Sequence, residues 1–296
     1  SWVRPTESRP GCRKFHPSHL SRMILIIIVI SMTAEGPVIV TGTSTGIGSA
    51  TTKRLLDAGR EVISLDIKDA PQGVSAHFHC DLSNPDSIDE VLSGFDDTYA
   101  SLLNIAGVPG TVPSDMVLAV NTLGLRHLTE GLWSRLADGG TVVNVASIAG
   151  NQWKKRFDKH SALLDTADFI SGAEWWEVNG ATCGTDPYTF SKEAVVVYTM
   201  QLAGRGRERG IQVNDVGPGP VETPIFPDFT QQVGQSQMDW IGDQMGRHAQ
   251  PDDIAQVLTW LAIGEHDWLN GQHIVVDGGF TSGIGTHWID RSTSPR

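Results

Sequence analysis

The sequence predicts an α/β fold in which a doubly wound, parallel sheet of seven strands carries helices on both faces. Three observations support this. Short β-branched runs alternate with longer helical patterns from Val38 onward, a glycine-rich turn comes directly after the first run, and no repeat or long linker breaks the alternation. The strands are expected from Val38 to Val40, Glu61 to Leu65, His77 to His79, Leu102 to Ile105, Thr141 to Ala146, Ile211 to Val216 and His273 to Val276. Between them, one helix reads from Ser49 to Ala58 and is closed by Gly59, and another from Asp252 to Leu261 is entered through Pro251. A further helix is expected to start near Asn121, after a short stretch containing Pro109, Gly110 and Pro113. An apolar helical pattern through Val195, Tyr198, Met200 and Leu202 is headed by Tyr188.

With 296 residues, 40% hydrophobic and 19% charged, the chain can bury one large core. The formal net charge of -12 argues against nucleic acid as a partner, because a phosphate backbone is met by a basic surface. The first 31 residues are locally basic, with Arg4, Arg9, Arg13, Lys14 and Arg22 against Glu7, so the acidity belongs to residues 32–296. The apolar run from Met23 to Ile30 falls short of the roughly 20 residues needed to span a bilayer, and no small-residue cleavage site comes after it. Residues 1–31 therefore read as a disordered leader or extension, with a membrane-surface anchor or an edge strand as the alternative. Residues 32–296 read as a single nucleotide-binding domain with an insertion at about 148–186. Cys12, Cys80 and Cys183 are odd in number and show no metal-ligand spacing, so free thiols, no metal site and a cytoplasmic setting are expected.

The segment Thr41-Gly-Thr-Ser-Thr-Gly-Ile-Gly48 joins the first strand to a helix. Gly42, Gly46 and Gly48, with Ser44, Thr45 and Ile47 between them, let backbone approach a pyrophosphate at a helix N-terminus. This is the signature of a Rossmann-type sheet. Asp66 closes the second strand, where a carboxylate accepts hydrogen bonds from the adenosine ribose and repels a 2'-phosphate. NAD(H) is thus favoured over NADP(H), with Lys68 nearby as a moderating charge. Asp81 and Leu82, after the third strand, are placed to hold the adenine edge or simply to form a turn.

Tyr188-Thr-Phe-Ser-Lys192 puts a phenol and an ammonium on one helix face, one turn apart. A phenol with a pKa near 10 is a poor base at neutral pH, and an adjacent cation favours the phenolate. The pair suits proton exchange with a substrate hydroxyl.

Together these motifs resemble the short-chain dehydrogenase/reductase family from Val38 to Gly279. The resemblance also rests on Asn104-Ile-Ala-Gly107, Asn121, Ser147 and Pro218-Gly219-Pro220 running to Thr223. It implies an oxidoreductase interconverting a secondary alcohol and a ketone, with Tyr188 as general acid/base, Ser147 bonding the substrate oxygen, and Lys192 lowering the tyrosine pKa and binding the nicotinamide ribose. It further implies that Asn121 holds a water relaying protons to Lys192, that Asn104, Ala106 and Gly107 border the cofactor, and that Pro218, Gly219, Val221 and Thr223 pack the nicotinamide. Where the family pattern has a second Asn, this chain has Ile105, which removes one side-chain amide. The short approach to Asn121, the long segment between Ser147 and Tyr188, and Asp277-Gly278-Gly279 are similar to the bacterial 3α-hydroxysteroid dehydrogenase/carbonyl reductase branch. That branch implies a small apolar, steroid-like or alicyclic alcohol or ketone as substrate, and a homodimer or homotetramer.

The insertion carries Trp153, Phe157, Leu163, Leu164, Phe169, Ile170, Trp175 and Trp176. Either it walls the substrate pocket together with the segment from Ile225 to Met245, or its aromatics bury themselves against the domain or a partner. Two rival functions are an NAD-sensing regulatory protein, which would be expected to lack part of the Ser147, Tyr188 and Lys192 group, and a nucleotide-sugar epimerase or dehydratase. The latter would be expected to show another glycine spacing and a larger C-terminal region.

Overall fold

In a computed structural model, which describes residues 34–295, the seven strands are β1 (Val38–Thr41), β2 (Val62–Asp66), β3 (Ala76–His79), β4 (Tyr99–Asn104), β5 (Leu136–Val145), β6 (Gln212–Pro218) and β7 (His273–Val276). They form one parallel sheet in the order β3-β2-β1-β4-β5-β6-β7. The expected leader falls outside the described residues.

The central strands β1, β2 and β4, the first two rich in β-branched residues, are buried on both sides because helices cover both faces. On one face, α1 (Gly46–Asp57) and α10 (Pro251–Ile263) bring Leu55, Ile254, Leu258 and Leu261 against Val38, Val40, Leu103, Val143 and Val216. On the other, α2 (Pro85–Ser93), α4 (Leu125–Leu132) and α7 (Pro187–Gly206) bring Ile88, Leu128, Val195 and Val196 against Ile39, Leu102, Val142 and Val213. Each fully buried aliphatic side chain contributes about 1.5–3 kcal/mol relative to exposure.

Two expectations need correction. β5 starts at Leu136 rather than Thr141, because Gly139 and Gly140 form an irregularity inside the strand and not a turn before it. A Cβ on Gly140 would come 2.8 Å from the carbonyl oxygens of Ala100 and Ala137, so only glycine fits there. Asn121 does not open a helix: α3 (Ser114–Leu118), led by Pro113, runs into a π-helical turn (Ala119–Gly124) that continues as α4. The insertion is ordered, with a 3-10 stretch (Ile148–Arg156) leading into α5 (Phe157–Leu164) and α6 (Phe169–Asn179).

Two buried charged side chains hold that insertion. Arg126 of α4 donates to the carbonyls of Leu163 (3.2 Å), Leu164 (3.0 Å) and Asp168 (2.7 Å). Glu193 of α7, fully buried, accepts from Arg156 Nε (2.7 Å) and pairs with His160 Nε2 (3.0 Å). After β6 come α8 (Phe226–Val233) and α9 (Gln235–Met245), and α11 (Phe280–Thr286) comes after β7.

Candidate active site

The glycine segment opens a cleft of about 950 Å³ at the carboxyl ends of the strands, where β1 and β4 lie side by side and the chain order reverses. Sterics explain two of the three glycines. At Gly48 a Cβ would lie 1.9 Å from the Gly42 carbonyl oxygen, while Gly42 has a φ of +72 and would place its Cβ 2.9 Å from Ala106. The first turn of α1 has no acidic residue and no side chain capping its N–H groups, so its positive end faces the cleft unmatched. This surface of backbone donors and absent side chains fits a pyrophosphate.

Thr41 Oγ1 accepts from the amides of Ile105 (2.9 Å) and Ala106 (3.0 Å), which fixes the end of β4 against β1. Asp66, nearly buried, accepts from the amides of Ser44 and Lys68, both at 2.9 Å, and lines the cleft together with Asp81 and Leu82. Thr45, Gly46, Ile47, Ala106, Gly107, Pro218, Gly219, Val221 and Thr223 border the same cavity.

Three predicted residues do not. Ser44 turns away, donating its hydroxyl to the Asp69 carbonyl, so its part is to hold Asp66 through its amide. Asn104 is buried beneath the sheet, donating to Thr129 Oγ1 (2.9 Å) and Asn144 Oδ1 (2.8 Å). The Asn121 amide is occupied by Val108, whose N–H it accepts at 2.9 Å and to whose carbonyl it donates at 3.0 Å, and it also donates to Ser191 Oγ at 3.2 Å. Its side chain therefore fixes the loop after β4, within a π-turn of the sort that often marks functional helices. Asn121 still adjoins the site, since a Cβ on Gly107 would sit 3.1 Å from its Oδ1 and 3.4 Å from Lys192 Nζ.

Ser147, Tyr188 and Lys192 converge on the cleft. Asp186 caps α7 by accepting from the Thr189 amide at 2.9 Å, which starts the helix so that Tyr188 and Lys192 fall one turn apart. Lys192 Nζ donates to the Val145 carbonyl at 2.9 Å and lies 5.8 Å from the Tyr188 ring centre. Apolar surroundings push the Tyr188 phenol up to about 12, against the hydrogen bond from Ser147, with Asp186 adding to the rise. Burial draws the Lys192 ammonium down to about 8, and the charge of Asp215 opposes that fall. Ser147 is buried at the end of β5, and its hydroxyl accepts from the Ala149 amide at 3.1 Å. A half-buried phenol beside a lysine poised near neutral pH, with a hydroxyl on its other side, can move a proton to or from an oxygen in the cleft.

Apolar lining comes mainly from α8, α9 and the segment before them, through Ile225, Phe229, Val233, Met238 and Ile241, and from Met116 of α3. Phe229 meets the Tyr188 ring edge-on with ring centres 5.2 Å apart. The insertion borders the cleft only through its ends, at Ser147 to Ala149 and at Asp186. Its Trp175 and Trp176 ring centres lie 6.2 and 5.1 Å from that of Phe190 of α7, and Trp153 packs on the main core, so its tryptophans pack against the domain while Phe157 stays exposed. Met116 escapes sequence reasoning; its signal is a lone exposed Met on a helix whose start the sequence places too late. Among the described residues there is no cluster of side chains able to hold a metal ion, and no helix long and apolar enough to cross a membrane.

Known proteins share these features. A family model described as short chain dehydrogenase matches residues 37–162, and one described as Enoyl-(Acyl carrier protein) reductase matches residues 177–281. The chain is 36% identical over 249 residues to coniferyl-alcohol dehydrogenase of a Pseudomonas species, covering 83% of this chain and 96% of that one. It is 29% identical to 3-alpha-hydroxysteroid dehydrogenase/carbonyl reductase of Comamonas testosteroni, over 82% and 95% of the two chains. The crystal structure of 3-alpha-hydroxysteroid dehydrogenase from Pseudomonas sp. B-0831, complexed with NADH, matches with a TM-score of 0.67 at 26% identity, covering 88% of this chain and 100% of that one.

Proposed function

We propose that this chain, which belongs to the short-chain dehydrogenase/reductase family, is an NAD(H)-dependent dehydrogenase that interconverts an apolar, ring-bearing alcohol and its carbonyl compound. The observation that carries this reading is the meeting of Ser147, Tyr188 and Lys192 in the same cleft as the glycine cradle. In this reading Gly42, Thr45, Gly46, Ile47 and Gly48 receive the pyrophosphate, Asp66 the adenosine ribose, and Asp81 and Leu82 the adenine edge. Gly107 and Lys192 border the nicotinamide ribose, and Pro218, Gly219, Val221 and Thr223 hold the nicotinamide. The bound cofactor supplies or accepts the hydride.

The rest of the chemistry belongs to the chain. Ser147 orients the substrate oxygen, and Tyr188 gives or takes its proton. In this reading the Lys192 cation, beside the Tyr188 ring, opposes the rise that burial imposes on the phenol. Asp66 favours NAD(H), since a 2'-phosphate would meet its negative charge. The apolar wall from Ile225 to Ile241 supports a ring system as substrate, in keeping with the hydroxysteroid and coniferyl alcohol named for the relatives. Buried free Cys80 and Cys183 are in keeping with a reducing, cytoplasmic setting. A homodimer or homotetramer is part of this reading, and light scattering on the purified chain tests it.

The test of function is absorbance in the reduced-nicotinamide band with NAD or NADP, against steroid, alicyclic and aromatic alcohols. Tyr188→Phe is expected to lower turnover by about 10²–10⁴-fold with cofactor affinity retained. Equal turnover by wild type and Tyr188→Phe would overturn the reading.

A further inference from the structure

The two helices that give the cleft its apolar lining also give it one amide. Of the α8 and α9 side chains that border the cavity, Phe229, Val233, Met238 and Ile241 are apolar and Gln232 is the exception. Gln232 comes three residues after Phe229 on α8, so the two are neighbours on the helix surface, about 5 Å apart. Phe229 in turn meets the Tyr188 ring edge-on. The amide therefore borders the cleft one helical turn beyond the ring that touches the proton-transferring phenol. Other polar side chains of α8 are committed: Asp228 accepts from Thr111 Oγ1 at 3.1 Å, and Thr230 donates to the Phe226 carbonyl at 3.1 Å. The Gln232 amide has no hydrogen-bond partner among the described residues.

What the amide packs on is Gly110, in the loop between β4 and α3. A Cβ there would come 2.7 Å from both Nε2 and Oε1 of Gln232 and 2.9 Å from its Cδ. Gly110 does not have a positive φ, so its backbone conformation does not call for glycine. The missing side chain instead makes room for the amide. The loop is held on both sides of this contact. Asn121 bonds the Val108 N–H at 2.9 Å and the Val108 carbonyl at 3.0 Å, and Thr111 reaches Asp228 of α8. Val108 and Gln232 border the same cavity.

Gln232 is exposed, so water meets the needs of its amide. A substrate ring lying on Phe229 and Val233 would take that water away. An amide that loses water and gains no other partner is unfavourable, so a wholly apolar ring is penalised at this point and a ring carrying an oxygen is not. A carboxamide both donates and accepts, which suits a hydroxyl or an ether oxygen.

We propose that Gln232, seated on Gly110, is a specificity-determining residue that selects alcohols whose ring carries a second oxygen, as hydroxyl or ether, at the end remote from the reacting carbon. The proposal rests on the function proposed above, with Tyr188 exchanging the proton and the substrate ring on Phe229. It narrows the substrate class from an apolar ring to an apolar ring with a polar tip.

The test uses the full chain with NAD and two matched pairs of alcohols. One pair is phenylpropanol and its para-hydroxylated counterpart; the other is a saturated hydroxysteroid with and without a second hydroxyl at the opposite end. Within each pair the ratio of kcat/KM is measured, because changes common to both members cancel in it. In the wild type the member with the second oxygen is expected to be favoured about tenfold in any pair that is turned over. In Gln232→Leu that ratio is expected to fall to about one. Gly110→Ala should act in the same direction without altering the amide itself. The new Cβ would meet the far end of a flexible side chain, so the amide is displaced and the backbone is not. There the ratio is expected to fall at least roughly threefold.

Ratios within about twofold of wild type in both variants would overturn the proposal, and so would a wild-type ratio near one. Should Gln232→Leu fail to fold, the Gly110→Ala ratio decides alone. The two readings fail differently. A wild type that turns over none of these alcohols sinks the proposed function and the role of Gln232 with it, whereas turnover with an unmoved ratio sinks only the role of Gln232.

Discussion

The two halves of the cleft are built from different materials. The nucleotide half is backbone: Gly42, Gly46 and Gly48, the open end of α1, and one carboxylate, Asp66, pinned by two amides. The substrate half is side chain: Phe229, Val233, Met238 and Ile241 from two short helices, with Met116 from a third. In the first half position is dictated by close approach, so substitutions act through sterics and charge at fixed atoms. In the second, contact area decides, and several residues of similar size satisfy it. Effects of mutation should therefore be abrupt on one side and graded on the other.

The largest effect should come from Gly48→Ala. The added Cβ would sit 1.9 Å from the Gly42 carbonyl oxygen, which is backbone and cannot swing aside. Cofactor binding measured by calorimetry is expected to fall at least roughly 100-fold, about 2.7 kcal/mol. Affinity within twofold of wild type would mean that the turn has slack and that the contrast between the halves is false.

Next is Asp66→Ala, which leaves the turn intact but removes a charge and frees the amides of Ser44 and Lys68. NAD affinity is expected to drop about tenfold, about 1.4 kcal/mol, while NADP gains relative to NAD because the like charge is gone. Parallel titrations with the two cofactors check this, and an unchanged ratio of affinities would remove Asp66 from cofactor choice.

The same contrast explains what can be read from the sequence. Close approach restricts residue type, so the glycine spacing, Asp66 and the Tyr188–Lys192 spacing leave marks that survive in one dimension, and the parallel sheet is legible in the β-branched runs. Gly139 and Gly140 mislead because glycine in a strand irregularity looks like glycine in a turn. The start of the helix carrying Asn121 is hidden because a π-turn has no simple sequence period. Asn104 is deceptive because adjacency to the cleft in sequence does not say which face of the sheet a side chain takes. The insertion aromatics are ambiguous for another reason: Trp175 and Trp176 would look the same facing a pocket or facing Phe190.

The smallest and most discriminating effect is expected from Phe229→Ala. Its ring meets Tyr188 edge-on with centres 5.2 Å apart and lines the cleft. An aromatic contact of this kind is worth about 0.5–1.5 kcal/mol beyond area burial, so the KM for a ring-bearing alcohol should rise up to about tenfold. Calorimetry on the same variant should find NAD affinity within about twofold of wild type, since α8 supplies none of the cradle. A parallel loss of cofactor affinity would show that the two halves are one cooperative unit. An unchanged KM would place the substrate elsewhere and direct attention to Met116 and Ile241. A raised KM with intact NAD binding would mean that cofactor and substrate are held by separable structures, one fixed by backbone geometry and the other free to vary in shape.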